Sequence, residues 1–149
     1  MPLLAERDFA LDVDGILQAL DATTKIVFIC SPNNPTGQSM ARKDIERVCR
    51  ETAGRALVVI DEAYREFIAG DDVPDGLDLF RRYDNVVVLR TFSKAYGLAA
   101  LRVGFAVAHA SVSEALRKTA TPFGVSTIAE EAAIACWTPG TSRLGSRLV

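Results

Sequence analysis

Four short apolar runs divide the chain into strand-like segments. They cover residues 26–30, 57–60, 86–89 and 103–108, are mostly β-branched, and are bounded by turn-forming residues. Runs of this length and composition are typical of strands that are buried on both faces. The pattern therefore predicts a sheet that lies in the core of the protein.

Helical periodicity appears between and after these runs. The first strong example spans residues 40–52, with Ser39 as its expected N-cap. Its apolar face consists of Ile45, Val48, Cys49 and Thr52. Other helices are predicted at residues 12–20, 77–83, 111–118 and 127–136. Strands that alternate with helices indicate a parallel, layered α/β sheet, although no helical pattern separates the third run from the fourth.

Composition adds several bounds to this picture. With 149 residues, 49% of them hydrophobic, the chain is long enough for one core. A net charge of −2 gives no basic stripe for nucleic acid. No apolar stretch reaches the roughly 18 residues of a membrane span, and no signal segment is recognisable, so we predict a cytoplasmic protein with no membrane partner. Cys30, Cys49 and Cys136 follow no disulfide spacing, and His109 is the only histidine, so we predict reduced thiols and no metal site.

The motif S-P-N-N-P-T-G, residues 31–37, follows the first apolar run directly. Two prolines, two asparagines and a glycine make a rigid turn, and its amide side chains can point at a ligand beyond the strand end. Taken alone, the same residues are also typical of an ordinary turn with no role in binding.

The motif V-V-I-D-E-A-Y, residues 58–64, joins the second apolar run to an acidic pair and a tyrosine. A carboxylate at the carboxyl end of a parallel strand lies where open α/β sheets bind their ligands. Asp61 is therefore a candidate ligand-binding residue, and the alternative is a helix cap or a solvated charge.

Lys94 lies in the run T-F-S-K-A-Y-G-L-A-A-L-R-V-G-F, residues 91–105, which begins just after the third strand-like segment. Chemistry at a lysine nitrogen needs burial or a neighbouring cation to favour the neutral amine, and Arg102 could be that cation. Arg102 could equally bind a phosphate together with the hydroxyls of Thr91 and Ser93. A reactive amine beside an anion-binding cluster suggests a lysine that forms a Schiff base with pyridoxal phosphate. The alternative is a solvated surface lysine.

The three motifs, in this order and spacing, resemble the class I and II aminotransferases of the aspartate aminotransferase fold. Their wording is most similar to the histidinol-phosphate and aromatic amino acid aminotransferase branch, from about residue 5 to about residue 135. The resemblance implies a three-layer α/β/α large domain with a mostly parallel sheet and an antiparallel last strand. It also implies pyridoxal 5'-phosphate as cofactor, an amino acid or histidinol phosphate and a 2-oxo acid as substrates, and a homodimeric parent.

The resemblance also assigns roles to individual residues. Lys94 matches the Schiff-base lysine, which also moves the proton between the substrate and the cofactor. Asp61 matches the carboxylate that pairs with the pyridine nitrogen of the cofactor. Tyr64 and Asn34 match the pair that hydrogen-bonds its phenolic oxygen.

Arg102, Thr91 and Ser93 match the phosphate-binding group of the family. We therefore expect the guanidinium to point toward the two hydroxyls. The peptide bond before Pro35 is expected to be cis, again by resemblance.

Family members are longer than this chain, which has no counterpart of their phosphate-binding small-residue loop, their ring-stacking aromatic residue or their substrate-clamping small domain. We therefore expect a fragment, with residues 1–137 forming part of the cofactor-binding large domain and residues 138–149 a divergent, disordered tail. Such a fragment is expected to be inactive alone.

Several alternatives stand beside the aminotransferase interpretation. One is a catalytically inactive remnant, and another is a decarboxylase or β-lyase on the same fold. A hydrolase of the S-x-x-K type would need serine where Thr91 stands, and a nicotinamide-binding domain would need G-x-G-x-x-G, which is missing.

Overall fold

The computed structural model describes residues 3–4, 9–69 and 72–137, so the predicted tail at 138–149 lies outside the described residues. A short antiparallel hairpin comes first, β1 (Leu3–Leu4) with β2 (Ala10–Leu11). The main sheet contains β3 (Ile26–Cys30), β4 (Leu57–Asp61), β5 (Val86–Thr91) and β6 (Gly104–Val107). The sequence pattern predicted these four strands to within two residues and gave no sign of the hairpin.

The main sheet has the strand order β3, β4, β5, β6. β3, β4 and β5 are parallel, and β6 is antiparallel to β5, which confirms the predicted α/β class with an antiparallel last strand. In the register, Cys30 pairs with Asp61, and Asp61 pairs with Leu89. The carboxyl ends of the three parallel strands therefore meet at one edge, where open α/β sheets bind ligands.

All five predicted helices are present, with ends that move by at most two residues. They are α1 (Val13–Gln18), α2 (Arg42–Glu51), α3 (Gly76–Arg82), α4 (Ala110–Thr119) and α5 (Thr127–Trp137). Two single 3-10 turns, Arg65–Phe67 and Ala99–Leu101, lie after β4 and β5. The second turn occupies the link in which no helix was predicted.

The predicted N-cap of α2 is wrong. The helix begins after Ala41, whose side chain forms no capping hydrogen bond, so Ser39 lies too early to cap it. The cause is the preceding turn, in which the Met40 amide donates to the Ser31 hydroxyl at 2.9 Å and keeps this segment outside the helix. Asp12 and Asp75 cap α1 and α3 with their carboxylates instead.

One face of the main sheet forms the larger core. Alternate residues of the strands point to the same face, and here they pack on α1, α2 and α3. The strand residues of this core are Val27, Ile29, Val58, Ile60, Val86 and Val88. Its helical residues include Ile16, Ile45, Val48, Cys49 and Leu79, which confirms the apolar face predicted for α2. On the opposite face of β3, Ile26 and Phe28 are 49% and 62% exposed.

A second cluster holds the segment between β5 and β6. Phe92, Val103, Ala129 and Ala133 are its buried members. Trp137, at the end of α5, packs its ring 5.9 Å from that of Phe92. This cluster anchors the loop that contains Lys94 to α5.

Gly104 is the point of closest approach between β5 and β6. A Cβ atom at this position would lie 2.7 Å from the Arg90 carbonyl oxygen, which is fixed in the strand ladder. We expect Gly104→Ala to push the strands apart and to lower the free energy of unfolding by about 1–3 kcal/mol. Urea denaturation measures this, and Ala106→Ser on the same strand, at an exposed position, serves as control. Equal midpoints for the two variants would contradict the packing described.

Cys49 is the most protected of the three thiols. Burial, together with the charge of Glu46, raises the pKa of the Cys49 thiol to about 12, and the side chain is inaccessible. We expect iodoacetamide at about pH 8 to modify the half-buried Cys30 and Cys136 well before Cys49. Peptide mass spectrometry measures the order, and early modification of Cys49 in the folded chain would contradict it.

The raised pKa of the Cys49 thiol makes the free energy of unfolding depend on pH. The thiol of the unfolded chain loses its proton at lower pH than that of the folded chain. Rising pH therefore stabilises the unfolded state relative to the folded state. The contribution of the protonated Cys49 thiol to the free energy of unfolding is complete below the ordinary thiol pKa and is lost as the pH rises toward about 12.

Candidate active site

The turn at residues 31–37 is held together by its own polar side chains. Asn33 is buried, and its amide donates to the Thr36 hydroxyl at 2.8 Å. Its carbonyl accepts from the Gly37 amide at 2.7 Å, where a φ of 74° favours glycine. Of the two adjacent asparagines, Asn33 therefore builds the turn, and Asn34 is left exposed.

Asn34 directs its side chain toward the next strand of the sheet. Its amide nitrogen donates to the Tyr64 hydroxyl at 3.2 Å, which joins the end of β3 to the end of β4. The peptide bond between Asn34 and Pro35 is cis, as predicted, and so is the bond between Ser31 and Pro32.

Lys94 completes this group from the end of β5. Its Nζ lies 5.1 Å from the centroid of the Tyr64 ring, a distance at which an ammonium is attracted to an aromatic face. The structure thus brings together Asn34, Tyr64 and Lys94, which are far apart in sequence and follow three successive parallel strands.

The backbone of the lysine loop is fixed on both sides of Lys94. The Ser93 amide donates to the Thr91 hydroxyl at 3.1 Å, and the Gly97 amide donates to the Lys94 carbonyl at 3.0 Å. The side chain of Lys94 is exposed, so the loop is rigid while the amine remains accessible.

Asp61 is the last residue of β4 and lies at the same edge of the sheet. One carboxylate oxygen accepts from the Ala63 amide at 3.0 Å, and its carbonyl accepts from the Ser31 amide at 3.1 Å. Within the described ranges 9–69 and 72–137 the carboxylate forms no ion pair. Its negative charge is therefore available to a cationic group of a ligand.

Arg102 does not form the contact expected of it. Its side chain is exposed and donates to the Ala99 carbonyl at 2.8 Å, while the Thr91 hydroxyl donates to Val103. Arg102 has the left-handed φ of 53° at the end of a 3-10 turn, so its direction is set by the local backbone. A guanidinium has five N–H donors, and one contact leaves the others for an anion. The phosphate-binding role of Arg102, Thr91 and Ser93 stays a prediction.

Sequence analysis missed a buried ion network behind this edge. Glu62 is 3% exposed, and the Arg90 guanidinium donates to one of its oxygens at 2.7 and 2.9 Å. The apolar run ends at residue 89, so the sequence pattern places Arg90 outside the third strand, whereas β5 extends to Thr91. The sequence does contain a signal for this ion pair. Arg90 directly follows one apolar run, and the acidic pair Asp61 and Glu62 directly follows the neighbouring run.

Cavities lie at both ends of the sheet. One of about 550 Å³ is bordered by Asn34 and Tyr64, at the edge where the candidate residues lie. Another, of about 620 Å³, is at the amino ends of the strands and is bordered by Lys25, Leu57 and Asn85. None of the candidate residues borders this cavity at the amino ends. The candidate active site is therefore at the carboxyl ends of the strands.

Two kinds of feature are absent from the described residues. In that part of the chain no helix is both long and apolar enough to cross a membrane. The same residues contain no group of three histidine, cysteine or acidic side chains that could hold a metal ion.

Comparison with known proteins shows the family of this chain. A family profile described as "Aminotransferase class I and II" matches residues 1–141. The chain is 58% identical over 124 residues to an aromatic amino acid aminotransferase of Streptomyces coelicolor, an alignment that covers 83% of this chain and 34% of that protein. The chain thus spans about a third of the length of this curated relative.

Solved structures show the same likeness. The crystal structure of histidinol-phosphate aminotransferase from Sinorhizobium meliloti in complex with pyridoxal-5'-phosphate is 34% identical with a TM-score of 0.74, covering 83% of this chain and 34% of that one. L-threonine-O-3-phosphate decarboxylase from Porphyromonas gingivalis is 28% identical with a TM-score of 0.70, covering 85% and 38%. With the profile matching almost the whole sequence, the chain belongs to the class I and II aminotransferase family.

Proposed function

We propose that this chain is the cofactor-binding part of a pyridoxal 5'-phosphate-dependent aminotransferase that acts on aromatic amino acids and a 2-oxo acid. The observation that carries the proposal is the convergence of Lys94 and Asn34 on Tyr64, at the carboxyl ends of the parallel strands. The aromatic substrate class is supported by the 58% identity to a relative of that name.

The chemistry of the described side chains fits this cofactor. Lys94 offers an exposed amine for its aldehyde, and Asp61 offers, for its protonated ring nitrogen, a carboxylate that forms no ion pair among the described residues. The Tyr64 hydroxyl, which already accepts from Asn34, suits its phenolic oxygen. Arg102, with the nearby hydroxyls Thr91 and Ser93, is the cationic candidate for its phosphate.

When bound, pyridoxal phosphate supplies an electron sink for the electrons left when the substrate α-carbon loses a proton. The Nζ of Lys94 is the group that would take this proton and return it, because it lies 5.1 Å from the Tyr64 ring at this edge. Asp61 would keep a proton on the ring nitrogen by its negative charge. Asn34 would hold the Tyr64 hydroxyl in one orientation through the 3.2 Å hydrogen bond.

Covalent capture tests the proposal directly. The lysine amine condenses with the aldehyde of pyridoxal phosphate with loss of water, and borohydride then reduces the C=N bond to a stable secondary amine. After this treatment, peptide mass spectrometry of the chain is expected to find the added group on Lys94. Lys118, which is exposed on α4, reports non-specific labelling. Equal labelling of both lysines would refute the proposal.

Amino transfer is preferred to decarboxylation because the 58% identical relative is an aminotransferase, whereas the decarboxylase is 28% identical. In the full enzyme of which this chain is proposed to be a part, phenylalanine labelled in its carboxyl group separates the two reactions, since only decarboxylation releases labelled carbon dioxide. Histidinol phosphate as substrate, the homodimer and the cytoplasmic location stay predictions.

A further inference from the structure

A buried charge network lies directly behind the candidate active site. Nε and Nη2 of Arg90 both donate to Oε2 of Glu62, at 2.9 and 2.7 Å, and Nη2 also donates to Asp75 at 2.8 Å. The other Glu62 oxygen accepts from the Gly76 amide at 2.6 Å. The side chains of Glu62 and Arg90 are only 2% and 14% exposed.

The network joins three elements that border the site. Glu62 directly follows Asp61 at the end of β4, and Arg90 directly precedes Thr91 at the end of β5. Asp75 caps α3 by accepting from the Leu77 amide at 2.8 Å. Neighbouring residues of a strand point to opposite faces, so Glu62 and Arg90 act on the side of the sheet edge away from the ligand.

The electrostatics of the network indicate a tightly held pair. Burial raises the pKa of the Glu62 carboxyl, and the hydrogen bonds from Arg90 and Gly76 oppose this rise. Burial lowers the pKa of the Arg90 guanidinium, but its contacts with Glu62 and Asp75 outweigh the effect and raise it. Pairs this deeply buried contribute little net stability, so stability alone does not account for their presence.

We propose that the network of Arg90, Glu62 and Asp75 is a positioning device that fixes the lysine loop relative to the acidic end of β4. The planar guanidinium holds two carboxylates from different elements at once, which sets the spacing between Asp61 and Lys94. A cofactor bound between these residues needs that spacing to hold within a fraction of an ångström. The inference rests on the proposed function for its purpose, but its geometric part does not need the cofactor.

The test compares charge removal with charge retention. Glu62→Gln combined with Arg90→Met removes both charges, while the glutamine oxygen can still accept from Gly76. Arg90→Lys keeps the charge but loses the fork, so it remains informative if the double variant fails to fold. The control is Asp14→Asn combined with Arg47→Met, which removes an exposed pair with the same 2.7 Å separation.

Two readouts are taken on the chain, amide hydrogen exchange and capture of pyridoxal phosphate by borohydride reduction. We expect denaturation midpoints near that of the unmodified chain, yet exchange about tenfold faster in residues 61–64 and 92–97 and capture about tenfold weaker. Exchange in α2 should not change. Unchanged exchange in those two segments, in both the double variant and Arg90→Lys, would overturn the inference. Failure of the unmodified chain to capture pyridoxal phosphate would instead refute the proposed function, and the exchange data would still decide the positioning role.

Discussion

Replacing Lys94 by alanine is expected to abolish covalent capture of pyridoxal phosphate by this chain. The amine is the only group in the structure that both reaches the Tyr64 face, at 5.1 Å, and can condense with an aldehyde, among the residues described. Its removal leaves Asn34, Asp61 and Tyr64 in place, so reversible binding can persist while the reducible bond cannot form. The change is from full labelling to none, the largest effect that any single substitution here should produce.

The measurement is intact mass after borohydride reduction, at equal cofactor concentration for each variant. Lys118→Ala removes an exposed lysine of α4 that pairs with Glu114 at 2.7 Å, and it serves as the matched control. It should label as the unmodified chain does. Lys94 is exposed, so the alanine variant should also unfold at the same denaturant concentration, to within about 0.5 kcal/mol in free energy. Undiminished labelling of Lys94→Ala would remove the lysine from the proposed mechanism.

The strands and helices could be predicted from the sequence because their signals are local. Each main strand contains a short apolar run, and the buried residues of α2 recur with a clear helical period. The motif residues could be placed at one edge because parallel strands end together. The start of α2 could not be predicted from local chemistry, since Ser39 is a residue type that caps helices but lies in a turn stabilised by the Ser31 hydroxyl.

The buried network could not be derived in the same way. Glu62 and Arg90 are 28 residues apart, and their contact depends on the register between β4 and β5, which no local pattern encodes. For Arg102, the sequence predicts a contact that the structure does not show. The sequence shows a cation near two hydroxyls, but the left-handed backbone at Arg102 turns its guanidinium to the Ala99 carbonyl.

The two asparagines of the turn differ in their contacts. They are adjacent and chemically identical, so only the structure distinguishes Asn33, which is buried and bonded to Thr36, from Asn34, which contacts Tyr64. The family resemblance names Asn34 and Tyr64 as the two residues that bind the phenolic oxygen of the cofactor, and the structure places their side chains in hydrogen-bond contact. The contact of Asn34 with the cofactor remains a prediction that covalent capture alone does not test.

The second large effect is expected from the core beneath the site. Ile60 is 1% exposed, lies in the middle of the packed face of β4, and immediately precedes Asp61. Ile60→Ala should lower the free energy of unfolding by about 2–5 kcal/mol, because it removes buried methyl groups and leaves a cavity that the two flanking strands cannot fill. Ile60→Val, which removes one methyl group, should cost about 0.5–1.5 kcal/mol.

Urea denaturation with linear extrapolation measures this series. Leu116→Ala on α4 removes a side chain that is 46% exposed, and its cost should be clearly smaller than that of Ile60→Ala. Since typical domains are stable by only about 5–15 kcal/mol, the alanine variant should also show faster exchange at the ends of β4 and β5 and weaker capture at Lys94. A loss below about 1 kcal/mol for Ile60→Ala would mean that this face of the sheet is not packed in solution as described. The placement of Asp61 beside the lysine loop would then lose its structural support, because the strand that carries it would no longer be fixed.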